Sequence, residues 1–104
     1  MQNRHEKLTD ALREVAAEFL VREANRNSLI TVTAARLSED NKRGVIYITV
    51  LPESAEEAAV AFANRNRTEF GEFFKTRVRV AFMPHIEFQI DKGEKSRQHL
   101  DQLS

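Results

Sequence analysis

Basic side chains cluster between residues 64 and 80, and their type and spacing are typical of a surface that binds phosphate groups. In a chain of zero net charge, this stretch contains five cations and only two carboxylates. The cations are Arg65, Arg67, Lys75, Arg77 and Arg79. A planar guanidinium donates two parallel hydrogen bonds to a phosphate, which suits arginine to a nucleic-acid backbone. The residues alone also leave open, and slightly favour, an ordinary solvated helix face.

The same stretch carries polar groups that suit RNA. Asn64 and Asn66 could hydrogen-bond base edges or sugars, and Thr68 is a potential helix cap. A break in the helix here should free backbone N–H groups at the start of the next helix, where the dipole favours an anion. With two cations at the tip of a predicted hairpin, the predicted RNA surface comprises Asn64, Arg65, Asn66, Arg67, Thr68, Lys75, Arg77, Arg79, Lys42 and Arg43. We rank Arg65 and Arg67 first among them.

Metal and catalytic sites have little support in the sequence. His85, Glu87 and Asp91 share one face of a predicted strand, but successive residues on one face lie ~7 Å apart. Three such side chains cannot all reach within ~2.2 Å of one zinc ion. No nucleophile–base pair and no phosphate-binding glycine loop is present. We therefore expect no metal, no cofactor, no small-molecule substrate and no enzyme activity.

Three phenylalanines, Phe70, Phe73 and Phe74, follow the basic pair. Each could stack on a base, an interaction that stabilises binding by roughly 1–3 kcal/mol. At helical spacing, however, they are more typical of a core. We assign Phe73 and at least one neighbour to packing against a long strand.

The composition limits the classes of protein that the chain can belong to. It has 104 residues, 16 basic and 16 acidic side chains and no cysteine. Disulfides and thiolate metal sites are thereby excluded, which fits a reducing cytoplasm. No apolar run approaches the ~18 residues of a membrane span, and the first residues have no signal-peptide core. We expect a cytoplasmic, monomeric protein that does not enter a membrane.

The longest periodic stretch is RVRVAFMPHIEFQID, Arg77 to Asp91. Its even positions are apolar apart from Pro84, and its odd positions are mostly polar or small. A period of two predicts one long strand with one buried face. Because proline cannot donate a ladder hydrogen bond, we expect a bend, a bulge or an edge position at Pro84.

The remaining elements are predicted from periodicity and from turn residues. They are a helix over His5–Ala24, strands over Leu29–Ser38 and Gly44–Leu51, a helix capped by Ser54 with Glu57, and a shorter helix over Glu69–Thr76. The second strand is apolar on both faces, so we expect it inside the sheet. The order predicts an α+β domain over residues 1–92, with three helices on one face of a three-stranded sheet. Residues 93–104 are predicted to be a polar tail with a short helix.

That order, with a break between the second and third helices, resembles the type II KH fold. Three stretches resemble the ribosome-binding factor A family in particular. They are Ile30–Pro52, which contains the pair Ser38 and Asp40; the segment with Pro84, Phe88 and Asp91; and the first helix, with Arg4 at its head. One difference lies at the kink, where the family has Ala-x-Gly and this chain has Asn66-Arg67-Thr68.

The resemblance implies a noncatalytic bacterial factor that binds the small ribosomal subunit and its rRNA and helps that subunit to mature. With it, the RNA interpretation of the basic stretch becomes the favoured one. A second interpretation stays open, in which a KH-like module pairs with a protein through its open sheet face or its C-terminal tail.

Overall fold

The computed structural model describes residues 3–23 and 28–93 of the chain. Within these ranges the structure has three long helices, α1 over Arg4–Glu23, α2 over Glu56–Arg65 and α3 over Arg67–Arg77. Three strands form, β1 over Leu29–Leu37, β2 over Arg43–Leu51 and β3 over His85–Ile90. A single 3-10 turn, Glu53–Ala55, precedes α2. The predicted α+β architecture of KH-like order is confirmed.

The sheet has the strand order β1-β2-β3. β2 pairs antiparallel with β1 and parallel with β3, so it lies at the centre, as its two apolar faces predict. Alternate residues of β2, namely Ile46, Ile48 and Val50, are buried under the helices, whereas the residues between them are half-buried on the opposite face. α1 packs mainly on β1, and α2 packs on β3.

A β-bulge in β1 explains why its sequence does not alternate regularly. Val32 pairs with Ile48 and Ala34 with Tyr47, which leaves Thr33 as the extra residue. The Thr33 hydroxyl donates to Asp91 Oδ2 at 2.5 Å, so the bulge is tied to the chain that leaves β3. Because of the extra residue, both halves of β1 turn apolar side chains toward the helices.

Aromatic rings join α1, α3 and β3 in the core. Phe70 and Phe74 are fully buried, and Phe88 is 1% exposed. The Phe70 ring lies 5.7 Å from that of Phe88 and 5.5 Å from that of Phe19, in edge-to-face arrangements. Phe73 instead packs against Phe19 of α1, at 5.6 Å between centroids. The core assignment is therefore confirmed for Phe70, which packs against β3, and the structure places the Phe73 ring against α1.

The long strand predicted over residues 77–91 is correct only in its second half. α3 continues to Arg77, and residues 78–84 form no strand. The cause is the register of the sheet, in which His85 pairs with Arg43, the first residue of β2. Residues before His85 would need partners before Arg43, and the chain turns away there into the hairpin tip. The buried Pro84 marks the start of pairing, and Phe82, predicted to be buried, is 61% exposed.

Two predicted helix caps are also wrong. Ser54 lies inside the 3-10 turn, and the residue that precedes α2 is Ala55, which offers no capping side chain. The shorter helix begins at Arg67, so Thr68 lies within its first turn and does not cap it.

In the described ranges, no helix is both long enough and apolar enough to cross a membrane. The predicted helix in the tail lies outside the described residues, because these end at residue 93.

Candidate nucleic-acid interface

The break between α2 and α3 falls within the predicted interruption at residues 64–68, but it is confined to one residue, Asn66. Its backbone angles, φ −100° and ψ 19°, lie in a region open to residues other than glycine. Its N–H reaches the carbonyls of Phe62 and Ala63, each at 3.2 Å, and its own carbonyl accepts the first hydrogen bond of α3, from Phe70 at 2.9 Å. The chain therefore makes this break without glycine.

The side chain of Asn64 holds the end of α2 against the free edge of β3. Its Nδ2 donates to the Phe88 carbonyl at 3.1 Å, and its Oδ1 accepts from the Phe88 N–H at 2.9 Å. Both ends of the amide are thus engaged inside the protein. RNA contact by Asn64 stays a prediction, and it would require these two bonds to break.

The amide of Asn66 points backward along the chain. Its Nδ2 donates to the Phe62 carbonyl at 2.8 Å, a carbonyl near the end of α2. No side chain in the described part of the chain forms a cap at the start of α3. The first N–H groups of α3 have no acceptor within their own helix, and the helix dipole makes this end attractive to an anion. RNA contact by the Asn66 side chain likewise stays a prediction.

A concave surface of about 450 Å³ lies beside this helix end, and we call it the first groove. It is lined by Lys42, Arg67, Thr68, Met83, Pro84, His85 and Ile86. The Lys42 carbonyl accepts a hydrogen bond from the His85 N–H at 2.8 Å, which fixes the hairpin against the start of β3. Arg67 Nη1 lies 3.5 Å from His85 Nε2. Cations from the hairpin and from α3 therefore face one groove, as the sequence predicted for Lys42 and Arg67.

The hairpin tip that carries Lys42 and Arg43 is held by its own hydrogen bonds. Ser38 Oγ donates to Asp40 Oδ1 at 2.6 Å, and Asp40 Oδ1 also accepts from the Lys42 N–H at 3.0 Å. Asn41 adopts φ 62°, a left-handed conformation that asparagine tolerates. The Ser38 hydroxyl, followed by the Lys42 N–H, lowers the pKa of Asp40 below its ordinary value. Ser38 and Asp40, the pair that forms part of the family resemblance, therefore build a hydrogen-bonded turn.

The two arginines beside the break, Arg65 and Arg67, are exposed. Within the described ranges, neither Arg65 nor Arg67 lies in an ion pair. Arg65 ends α2, where a cation also stabilises the helix dipole. Both guanidinium groups are therefore available to a ligand.

Arg77 differs, because its guanidinium is engaged with α1. Its Nη2 donates to Glu18 Oε1 at 2.6 Å, and its Cζ lies 4.6 Å from the centroid of the Phe73 ring. The hydrogen bond from Arg77 lowers the pKa of Glu18, and Glu18 raises that of Arg77. This ion pair ties α3 to α1, so an RNA phosphate would have to compete with a carboxylate for Arg77.

The remaining predicted cations surround the first groove only in part. Lys75 lies seven residues after Thr68 on α3, which places both on one side of the helix about 10.5 Å apart. Arg43 is exposed at the first residue of β2. Arg79 lies away from the first groove, in the segment that follows α3.

A second groove, of about 580 Å³, contains Arg79 and was missed by sequence reasoning. It is lined by Arg4, Lys7, Leu8, Asn41, Val78, Arg79, Val80, Ala81 and Phe82. The missed residues are Arg4, Lys7 and Phe82. The short spacing between Arg79 and Phe82 could have indicated this groove. Assigning residues 77–91 to one strand, however, placed Phe82 in the core.

Metal binding has no support from the geometry. Among the residues that the structure describes, no group of three histidine, aspartate or glutamate side chains could hold an ion. The Asp91 carboxylate, just after β3, accepts a hydrogen bond from the Thr33 hydroxyl of β1.

Comparison with known proteins extends this description. The family profile for ribosome-binding factor A matches residues 4–104. Ribosome-binding factor A of Thermobifida fusca (strain YX) is 34% identical over 107 aligned positions, which cover 96% of this chain and 68% of that protein.

Two solved structures resemble the fold closely. The crystal structure of ribosome-binding factor A from Thermus thermophilus gives a TM-score of 0.75 at 27% identity, over 85% of this chain and 97% of that one. A homology model of the Thermus thermophilus factor, fitted into a cryo-EM map of its complex with the 30S subunit, gives a TM-score of 0.73 at 28% identity. The alignment covers 83% of this chain and 93% of that one. The chain therefore belongs to the ribosome-binding factor A family.

Proposed function

We propose that this chain is a noncatalytic factor that binds the small ribosomal subunit through its rRNA and acts in maturation of the subunit, including 16S rRNA processing. The name of its family and the complex of the Thermus thermophilus relative with the 30S subunit support this proposal. We place the factor in the cytoplasm as a monomer, without a small-molecule substrate.

The observation that carries the proposal is the convergence of cations on an uncapped helix end. Lys42 and Arg67 line the first groove from two different elements, and Arg65 lies on the other side of Asn66. N–H groups of the first turn of α3 add a fixed partial positive charge. Such an arrangement suits phosphate groups, and it reads the shape of an RNA backbone rather than its base sequence.

The zero net charge of the chain bears on how tightly it binds. A few phosphate contacts in a neutral protein give modest affinity for free RNA, because the long-range attraction of a polycation is missing. We therefore infer tighter binding to an assembled small subunit, on which several contacts form at once.

The test is co-sedimentation with purified small subunits at increasing salt. Each phosphate contact contributes roughly 0.7 to 0.9 to the log–log slope of affinity against salt. A variant with Arg65→Ala and Arg67→Ala should lower the slope by about 1.4 to 1.8, which corresponds to two lost contacts.

A matched control removes the same charge elsewhere. Arg13 and Arg36 are exposed and line neither groove. Arg13→Ala with Arg36→Ala should leave the slope near that of the parent protein. Equal slopes for the two double variants would show that the helix break is not part of the interface. Particles that keep the protein after ribonuclease treatment would favour a protein contact instead.

A further inference from the structure

We propose that the second groove binds an unpaired RNA nucleotide, whose base stacks on Phe82 while its neighbouring phosphates contact Arg4, Lys7 and Arg79. This site deepens the proposed function and rests on it. It differs from the first groove in the group that it recognises, which is a base rather than the backbone alone.

The exposure of Phe82 is the first observation. The chain has seven phenylalanines, and Phe82 is the one with a largely exposed ring, at 61%. By contrast, Phe70 and Phe74 are fully buried. Phe82 lies in the segment between α3 and β3, on the wall of a mostly apolar groove. An exposed ring beside cations is the arrangement on which single-stranded nucleic acids stack their bases.

The charge of the groove is the second observation. Three cations line it, from the first turn of α1 and from the segment after α3, and none of the described lining residues is a carboxylate. This one-sided charge occurs in a chain whose acidic and basic residues are equal in number. Phosphates on both sides of a stacked base complement it, because a nucleotide carries one negative charge per backbone link.

The groove is held in shape by hydrogen bonds at its rim. Asn3 Oδ1 accepts the Glu6 N–H at 2.8 Å and so caps α1, next to Arg4. His5 Nδ1 lies 2.8 Å from Asn41 Oδ1, which ties the first turn of α1 to the hairpin tip. A preformed site of this kind loses less conformational entropy when its ligand binds.

The hairpin tip also joins the two grooves. Asn41 lines the second groove and the next residue, Lys42, lines the first. A single RNA strand that crosses the tip would therefore meet cations on both sides of it. Phe82 lines the second groove and not the first, so stacking on Phe82 and backbone contact by Arg67 are separable by substitution.

The test uses the absence of tryptophan from the chain. Phe82→Trp introduces a single indole at the proposed stacking position, and stacking of a base quenches its emission. We expect quenching on titration with a single-stranded 12-nucleotide oligoadenylate, and none with an abasic ribose-phosphate oligomer of equal length. Leu29→Trp is the control, because Leu29 is 62% exposed and lines neither groove.

Affinity measurements on the same oligoadenylate give a second readout. Phe82→Ala and Phe82→Leu should each weaken binding about tenfold, within the range for one stacked base, and should leave the salt slope unchanged. Leu29→Ala should leave the affinity unchanged. Lys7→Ala with Arg79→Ala should lower the salt slope by about 1.4, which is two single-strand contacts.

Three outcomes of the measurements above would overturn the stacking site, and a fourth comes from a polyglutamate titration. They are no quenching of the Phe82→Trp indole, equal quenching by the abasic oligomer, and equal effects of Phe82→Ala and Leu29→Ala. Quenching by polyglutamate as strong as that by oligoadenylate would assign the groove to an acidic protein partner and would also overturn it. None of these results changes the co-sedimentation test of Arg65 and Arg67, so the two proposals fail separately.

Discussion

Replacing Asn64 by alanine tests whether this residue stabilises the fold, as its hydrogen bonds indicate, or contacts RNA, as its sequence position suggested. The amide joins α2 to the outer edge of β3 through both the N–H and the carbonyl of Phe88. Because the Phe88 side chain is 1% exposed, its backbone groups lie beside the core. Alanine would leave both groups without their present partner.

The expected loss follows from the two hydrogen bonds. Each contributes about 1 kcal/mol net, and a partly buried group left unsatisfied costs more. The free energy of unfolding should therefore fall by about 2 kcal/mol. For a domain of this size, that change lowers Tm by roughly 10 °C.

Asn64→Asp separates the two bonds by pH. At neutral pH one carboxylate oxygen still accepts the Phe88 N–H. The other oxygen, also negative, faces the Phe88 carbonyl oxygen and is repelled by it. The protonated carboxyl can donate to that carbonyl, so the folded state raises the pKa of the introduced group. Its stabilising contribution is full below the unfolded value, about 3.9, and is lost as pH rises through the folded value. The aspartate variant should therefore gain stability relative to the alanine variant as pH falls.

The assay is urea unfolding followed by circular dichroism, at several pH values. Gln89→Ala is the control, since Gln89 is exposed on the same strand. A loss for Asn64→Ala no larger than that for Gln89→Ala would refute the reasoning. So would a weaker affinity for RNA at constant salt in a fully folded Asn64→Ala variant, because the amide would then be an RNA contact.

Two further changes test the ion pair and the close packing of the sheet. The pKa of Glu18 is lowered from its ordinary value of 4.5, chiefly by the hydrogen bond from Arg77. The ionised Glu18 therefore stabilises the folded state above pH 4.5, and this stabilisation is lost as pH falls through the lower pKa of the folded state. Glu18→Gln should thus reduce the loss of stability on acidification, measured by urea unfolding from pH 7 to 3. The control Glu14→Gln should not, and parallel curves of stability against pH for the parent and Glu18→Gln would contradict this. Gly44→Ala should lower the free energy of unfolding by about 1–3 kcal/mol in the same assay, because an added Cβ would lie 3.2 Å from the backbone carbonyl oxygen of Arg36 and 3.0 Å from Cδ1 of the buried Ile86. An unchanged urea midpoint would contradict it.

Periodicity and turn residues predicted the fold well because they report local preference and burial. The order of elements, the central place of β2 and the break between α2 and α3 all follow from them. They could not separate a paired strand from an unpaired extended segment. Residues 78–84 share the period of two with β3, but no strand in the described part of the chain pairs with them.

The site was predictable in residue type and less so in role. The cations at Lys42 and Arg67 face one groove, as their predicted positions at a hairpin tip and a helix break suggested. The hydrogen bonds of Asn64 and the ion pair of Arg77 depend on residues 24 and 59 positions away along the chain. Such distant partners leave no trace in the local pattern, and the exposure of Phe82 depended on the same missing information.

The bulge at Thr33 has a consequence for how the length of β1 can change. Ile30 and Val32 face the helices before it, and Ala35 and Leu37 face them after it. Loss of Thr33 itself would leave a regular strand with every apolar residue still directed inward. Loss of a residue away from the bulge, such as Thr31, would instead turn an apolar side chain to the opposite face of the sheet. The bulge is thus the place at which this strand can shorten without reversing its two faces.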